Sequence, residues 1–282
     1  MFAENVLAGR VVVVTGGGTG LGRAMALHFA RYGAKVGIIG RRTEPLEATV
    51  ADMTAAGAVA AWASADVRDP ESVHTAFDAL ESKLGPLDTL INNAAGNFLS
   101  PTEDLSPNAF NAVIDIVLRG TFHCTQDFGR RVIADEARRG VVLNITTTYA
   151  WMGSPFVLPS ACAKAGVHAM TKSLAVEWAT YGMRFVDVAP GPFPTEGASS
   201  RLAVPGMDQL GKDQNPTGRF GKPEELASLA TYLISDQASY INGATVPIDG
   251  GEWLLAGQSF GLLARMDRDN LKQMMTAMRP KK

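Results

Sequence analysis

The segment Leu143–Lys172 holds the densest set of side chains able to do chemistry. Thr146, Thr147, Thr148 and Tyr149 run consecutively, and Ser160 and Lys164 stand four residues apart. On a helix that spacing puts the hydroxyl and the ammonium one turn apart on one face. A phenol such as Tyr149 can donate a proton or a hydrogen bond to an oxygen that gains charge, and a lysine adds fixed positive charge beside it. A second set, Thr15-Gly16-Gly17-Gly18-Thr19-Gly20-Leu21-Gly22, is suited to phosphate. It follows a β-branched run, Arg10 to Val14, and precedes helical spacing from Arg23 to Tyr32, the strand, loop and helix order that a dinucleotide site requires. Gly16 permits a tight turn, Gly20 lets backbone approach the pyrophosphate, and Gly22 lets the helix meet the sheet. The helix N-terminus then faces the phosphate charge.

The rest of the chain must position these two sets. Short apolar runs at Lys35 to Ile39, Val59 to Ala65, Thr89 to Ile91, Val141 to Ile145, Arg184 to Ala189 and Ala244 to Ile248 read as strands. Helical patterns at Glu44 to Thr54, Pro70 to Leu84, Ser106 to Leu118, Ser160 to Tyr181 and Pro223 to Ser235 alternate with them. Asp69 and Ser106 are the expected N-caps before Pro70 and Pro107. The alternation predicts an α/β fold: a single doubly wound domain of Rossmann type, over residues 1–282, with a seven-stranded parallel sheet and helices on both faces. Gly197 to Thr217, rich in Gly, Pro and polar residues, reads as a mobile substrate lid, and Gly250 to Lys282 as a C-terminal extension. The apolar side of Asp267 to Met278 (Leu271, Met274, Met275, Met278) reads as core or subunit contact.

At the end of the second strand, where an acid would bind both ribose hydroxyls of NAD, the chain has Gly40-Arg41-Arg42. A guanidinium can grip a 2′-phosphate bidentately, so the cofactor expected is NADPH, with Arg41 the leading contact and Arg42 the second. Net charge is −2 with no long basic run, which gives no reason to expect nucleic acid or membrane as partner. Two cysteines, Cys124 and Cys162, support neither a disulfide framework nor a metal site. No run of about eighteen apolar residues and no signal-peptide pattern at Met1 to Arg10 are present, so the expected location is the cytoplasm of a bacterium. The mitochondrial matrix, after transit-peptide removal, is the alternative.

The glycine spacing, the segment Asn92-Asn93-Ala94-Ala95-Gly96, Lys164 and Pro190-Gly191-Pro192-Phe193-Pro194-Thr195 resemble the short-chain dehydrogenase/reductase family. The resemblance implies cofactor contacts at Gly16, Gly18, Thr19, Gly20, Leu21, Gly22, Asp66, Val67, Asn93, Ala94, Gly96, Lys164, Pro190, Gly191, Pro192, Phe193 and Thr195. It also exposes departures: Ser160 stands where the family has its catalytic Tyr, Val117 where it has an Asn, and Thr147 where it has a Ser. Three readings follow. The chain is a nucleotide-binding pseudoenzyme, or a carbonyl reductase in which Tyr149 donates the proton, or a site rebuilt for conjugate reduction.

The stretch from Asn92 to Leu202, including Asn97-Phe98, Asp115-Ile116-Val117-Leu118 and Thr146 to Ala150, is similar to the 2,4-dienoyl-CoA reductase branch, especially its mitochondrial form. In that branch Val117 and Ser160 are expected. The resemblance implies that Tyr149 and Asn97 form an oxyanion hole for the thioester oxygen. Lys164 orients the ribose, and Ser160 hydrogen-bonds near the nicotinamide. It further implies an acyl-CoA substrate lying against Phe98, Ser106, Arg68 and Arg201, a 3-enoyl-CoA product of unsaturated fatty acid β-oxidation, and a homotetramer. A 3-oxoacyl (carbonyl) or 2-enoyl-thioester reductase is the alternative enzyme.

Overall fold

The computed structural model describes residues 3–195, 207–255 and 260–278. Strand β1 (Val11–Thr15) is four valines closed by a threonine, all buried, as a strand covered on both faces must be. It pairs in parallel with β2 (Lys35–Gly40) on one side and β4 (Thr89–Asn92) on the other. Beyond β2 lies β3 (Ala60–Ser64), and beyond β4 lie β5 (Gly140–Ile145), β6 (Met183–Pro190) and β7 (Thr245–Ile248). The sheet therefore has the parallel order β3-β2-β1-β4-β5-β6-β7. Its winding direction reverses between β1 and β4, which opens a crevice at their carboxyl ends. Both chemistry-bearing segments lie at that edge.

Two apolar layers hold the sheet. On one face α1 (Gly20–Arg31), α2 (Thr43–Ala55) and the helix Pro223–Ile234 seat Met25, Phe29, Leu46 and Leu226 over Val12, Val14 and Val186. On the other, α3 (Pro70–Leu84) and α5 (Gly120–Ile133) seat Phe77, Leu80 and Phe128 over Val13, Leu90 and Phe185. Each fully buried side chain of this size contributes roughly 1.5–3 kcal/mol by leaving water. Asp69 caps α3 as expected, accepting from Glu71 N–H at 3.1 Å.

The expected helix Ser106 to Leu118 is not continuous. Ser106 caps α4 (Pro107–Ile114), accepting from Ala109 N–H at 3.1 Å, but Asp115–Arg119 winds as a π turn before α5 begins. The wider turn lets Gly120 close on Val67, where a Cβ would stand 2.6 Å from the valine methyl. The Thr121 hydroxyl, donating to Val117 C=O at 2.6 Å, compensates one carbonyl there. The helix expected to reach Tyr181 ends earlier: α7 is Leu158–Glu177, followed by a short 3₁₀ turn, with the Trp178 ring seated on Gly129. Within the expected lid, Met207–Gln214 is a helix, and 196–206 lie outside the described residues. The C-terminal helix Arg268–Ala277, capped by Asp267, buries Leu271, while Met275 and Met278 are 48% and 74% exposed. Of its expected apolar side, Leu271 alone is fully packed as core. No described helix is long and apolar enough to cross a membrane, and the described residues hold no cluster able to bind a metal ion.

Candidate active site

Gly16 and Gly20 take φ of 66° and 54°, the left-handed region open to glycine at little cost. A Cβ on Gly22 would stand 2.3 Å from Gly16 C=O, so the first turn of α1 can sit against the loop as closely as it does because that carbon is missing. The loop is tied to β4 through Thr15. Its buried Oγ1 accepts the N–H groups of Asn93 and Ala94, both at 2.9 Å. The Asn93 side chain donates back to Thr15 C=O at 2.9 Å, so this amide, expected at the cofactor edge, is committed to the loop. Thr15→Val keeps the size and strands two backbone donors. We expect a loss of about 2 kcal/mol or more, read from the urea midpoint at constant m.

On the other side of the crevice, Thr195 comes within 3.5 Å of where a Cβ of Gly20 would be, bringing the 190–195 loop to the glycine loop. Gly191 N–H donates to Ile248 C=O, at the end of β7, at 3.0 Å, and Phe193 is buried against Gly221. Arg41 and Arg42, at the end of β2, are exposed, and neither makes a hydrogen bond or ion pair among the described residues. Arg68 does: its guanidinium and its N–H hold the Asp66 carboxylate at 3.0 Å, and that bonding, more than any other cause, keeps the Asp66 carboxyl below the usual carboxylate range. Val67 is buried on Gly120, with its carbonyl 3.0 Å from His123 Nδ1. Arg201 lies outside the described residues.

The Tyr149, Ser160 and Lys164 set converges on the same crevice, and Asn97 joins it. A short helix, α6 (Tyr149–Met152), follows β5 and projects Tyr149, whose hydroxyl is 3.0 Å from Ser160 Oγ on α7. Asn97 Nδ2 donates to the same phenol oxygen at 3.4 Å, and Asn97 Oδ1 accepts Phe98 N–H at 2.9 Å, which orients the amide. Phe156, between α6 and α7, is held at φ 64°, a costly conformation for an aromatic residue. Its carbonyl accepts Ser100 N–H at 2.9 Å and so ties the Asn97 segment to the Tyr149 segment. Ser160 and Lys164 are buried one turn apart, and Lys164 Nζ donates to Ile145 C=O. Burial brings the Lys164 ammonium down to about 8, against the opposing pull of Asp187. Phe98 packs on Val113, Val117 and Ala163. Trp151 of α6 meets the Trp253 ring edge-on at 5.7 Å, bringing the C-terminal segment against the same corner.

A phenol and an amide side by side, with Asn97 Nδ2 3.4 Å from the Tyr149 hydroxyl, are two donors able to hold an oxygen that gains negative charge. Three contributors escaped the sequence reading. Thr15 could have been noticed as the hydroxyl that ends an all-valine strand. Asp187 and His168 could not, because their contacts join β6, β7 and α7 across long stretches of chain.

A family model described as enoyl-(acyl carrier protein) reductase matches residues 16–252. The chain belongs to the short-chain dehydrogenase/reductase family. Within this oxidoreductase family it is 47% identical over 257 residues to a probable (3E)-enoyl-CoA-producing 2,4-dienoyl-CoA reductase of Caenorhabditis elegans, covering 89% of this chain and 83% of that one. It is 45% identical over 249 residues to a probable (2E)-enoyl-CoA-producing 2,4-dienoyl-CoA reductase of Bacillus subtilis, covering 87% and 97%. A short-chain dehydrogenase of Bacillus anthracis superposes with a TM-score of 0.79 at 44% identity, over 89% of this chain and 98% of that one.

Proposed function

We propose that this family member reduces 2,4-dienoyl-CoA thioesters to 3-enoyl-CoA with NADPH. One observation carries the reading: the Tyr149 hydroxyl lies between Asn97 and Ser160, with Ser160 at the position where a carbonyl reductase of the family keeps its tyrosine. Reduction of a carbonyl ends with a proton on oxygen, whereas conjugate reduction returns the charge to carbon and asks only that the oxygen be stabilised meanwhile. An amide and a phenol suit the second task. The dienoyl-CoA reductases among the relatives support the same substrate class.

The crevice fits the cofactor. A Cβ at Gly16 or Gly18 would meet the backbone of Ala94 or of Pro45 and Leu46 at 3.1–3.2 Å, so glycine lets the loop pack tightly there, while at Gly20 it keeps clear the gap to Thr195, 3.5 Å from its absent Cβ, at the N-terminus of α1. Arg41 and Arg42, unpaired among the described residues, are cations where a 2′-phosphate would lie. Lys164, with Asn93 to Gly96 and the 190–195 loop, would hold the nicotinamide end. Held there, the nicotinamide would supply a hydride for the far end of the diene. Tyr149 and Asn97 then hold the thioester oxygen as negative charge reaches it, Ser160 fixes the phenol, and water protonates the α-carbon. Phe98 lines the acyl path. Arg68, released from Asp66, and Arg201 receive CoA phosphates, and Ser106 lies beside the pantetheine. We read residues 1–282 as one domain whose 197–217 segment covers the substrate.

The test is NADPH oxidation with 2,4-hexadienoyl-CoA, with the product double bond located by NMR. The description of the matching family model favours a second reading, a 2-enoyl-thioester reductase, so crotonyl thioesters on CoA and on carrier protein are run beside it, with a 3-oxoacyl thioester. Silence with the diene beside rapid turnover of either comparator overturns the proposal. Silence with all of them despite NADPH binding makes the chain a pseudoenzyme. Exposed Phe122 on α5 and Val176 on α7, 44% and 80% accessible, are apolar enough to seat other copies. We expect a homotetramer, read by light scattering as four times the 29.9 kDa chain.

A further inference from the structure

Asp187 on β6 has no exposed surface, yet it is a carboxylate set between Val186 and Val188. Its two oxygens are engaged. Thr171 donates to Oδ1 at 2.5 Å, while Oδ2 is 3.1 Å from His168 Nδ1 and 3.3 Å from Thr245 Oγ1. Burial is the larger effect and raises the Asp187 carboxyl above its ordinary value, while the bonds from Thr171 and His168 pull it back toward the ionised form. The chain of contacts continues: Asn144 donates to Thr171 at 2.7 Å and accepts from Asn92 at 2.8 Å. Asn144 directly precedes Ile145, whose carbonyl holds Lys164. His168 is one helical turn beyond Lys164 on α7.

We propose that Asp187, braced by His168, is the positioning residue for Lys164, a buried counter-charge that keeps the ammonium ionised and aimed at the cofactor ribose. The inference rests on the reading of Lys164 as the ribose-binding lysine. Other elements packed on this part of α7 bring no competing charge among the described residues. Lys164's own shift has Asp187 as its one charged contributor. The flanking α4 and π turn bring apolar Val113 and Val117. Asp115 and Arg119 of that turn pair with each other at 2.6 Å. Helix α6 contributes Tyr149 through Ser160. On β6 itself, Arg184 donates to the carbonyls of Ile241 and Leu233. Without Asp187 the ammonium would be a buried charge opposed by desolvation alone.

The experiment measures NADPH dissociation constants by fluorescence titration over a pH range that brackets 8, for the wild type and for Asp187→Asn. In the wild type, affinity falls as pH rises through about 8. In Asp187→Asn the same fall moves about one pH unit lower, so binding at pH 8 is about fivefold weaker while binding at low pH is unchanged. A uniform loss at every pH, or no change, overturns the proposal, since a merely structural Asp187 would not move the titration. If Asp187→Asn does not fold, Lys164→Met is added to it. Recovery larger than the gain that Lys164→Met gives the wild type at the same pH supports the charge pairing, and recovery no larger than that gain, or none, refutes it. Cofactor binding is measured rather than turnover, so a protein inactive on dienoyl-CoA would sink the proposed substrate and leave this result standing.

Discussion

Replacing Tyr149 with Phe lowers kcat toward a 2,4-dienoyl thioester by about 10²–10³, the usual cost of one lost oxyanion donor, roughly 2.7–4 kcal/mol. The phenol is half-buried, hydrogen-bonded on one side to Asn97 at 3.4 Å and on the other to Ser160 at 3.0 Å. Removing its oxygen leaves the ring in place, so packing and substrate affinity change little and the loss falls on kcat rather than KM. Ser160→Ala removes one neutral hydrogen bond behind the phenol, worth about 0.5–1.5 kcal/mol, and costs roughly 2- to 10-fold. Single-turnover measurements of both variants decide the matter. A larger loss in Ser160→Ala would move the essential hydroxyl to Ser160 and return the site to a family-type acid.

Lys164→Met has the second large effect, and it has opposite signs in activity and in stability. Lys164 is 7% exposed and titrates near 8 in the fold, against 10.5 ordinarily. A folded value below the unfolded one means that the unfolded chain binds the extra proton between these limits, so stability contributed by this group rises with pH across that window. Below pH 8 the full penalty applies, about 3 kcal/mol. Met removes it. We expect Lys164→Met to gain about 2 kcal/mol at pH 7 once the hydrogen bond to Ile145 C=O is given up. Urea unfolding at pH 7 and near pH 10 should show the gain shrinking as pH rises. A gain that stays constant with pH would show that Lys164 is not held charged against burial. NADPH binding and turnover should be severely reduced at the same time, so this fold carries a stability cost at its site.

The strands were legible because each is a short β-branched or apolar run flanked by turn residues, and β1, with four consecutive valines, is the clearest of them. The glycine loop was legible for a related reason: its position between strand and helix admits few other uses. The π turn at Asp115–Arg119 was not, since it depends on Gly120 reaching Val67, a partner more than fifty residues earlier. The convergence of Asn97, Tyr149 and Ser160 was legible through resemblance, not through spacing, because three separate segments supply them. The pairing of Arg68 with Asp66 is a local turn contact that spacing alone could have suggested. Asp187 lay hidden inside a run that any hydropathy reading assigns to the core, with partners on α7 and β7.

The edge-on contact between Trp151 and Trp253 links the helix that begins with Tyr149 to a residue near the C-terminus. During synthesis the glycine loop, tied to β4 where β4 pairs with β1, emerges first, Lys164 and the 190–195 loop follow, and Trp253 comes last of all. The corner holding Tyr149 therefore gains its final wall only after the rest of the site has left the ribosome, an order set by where the two tryptophans fall in the chain.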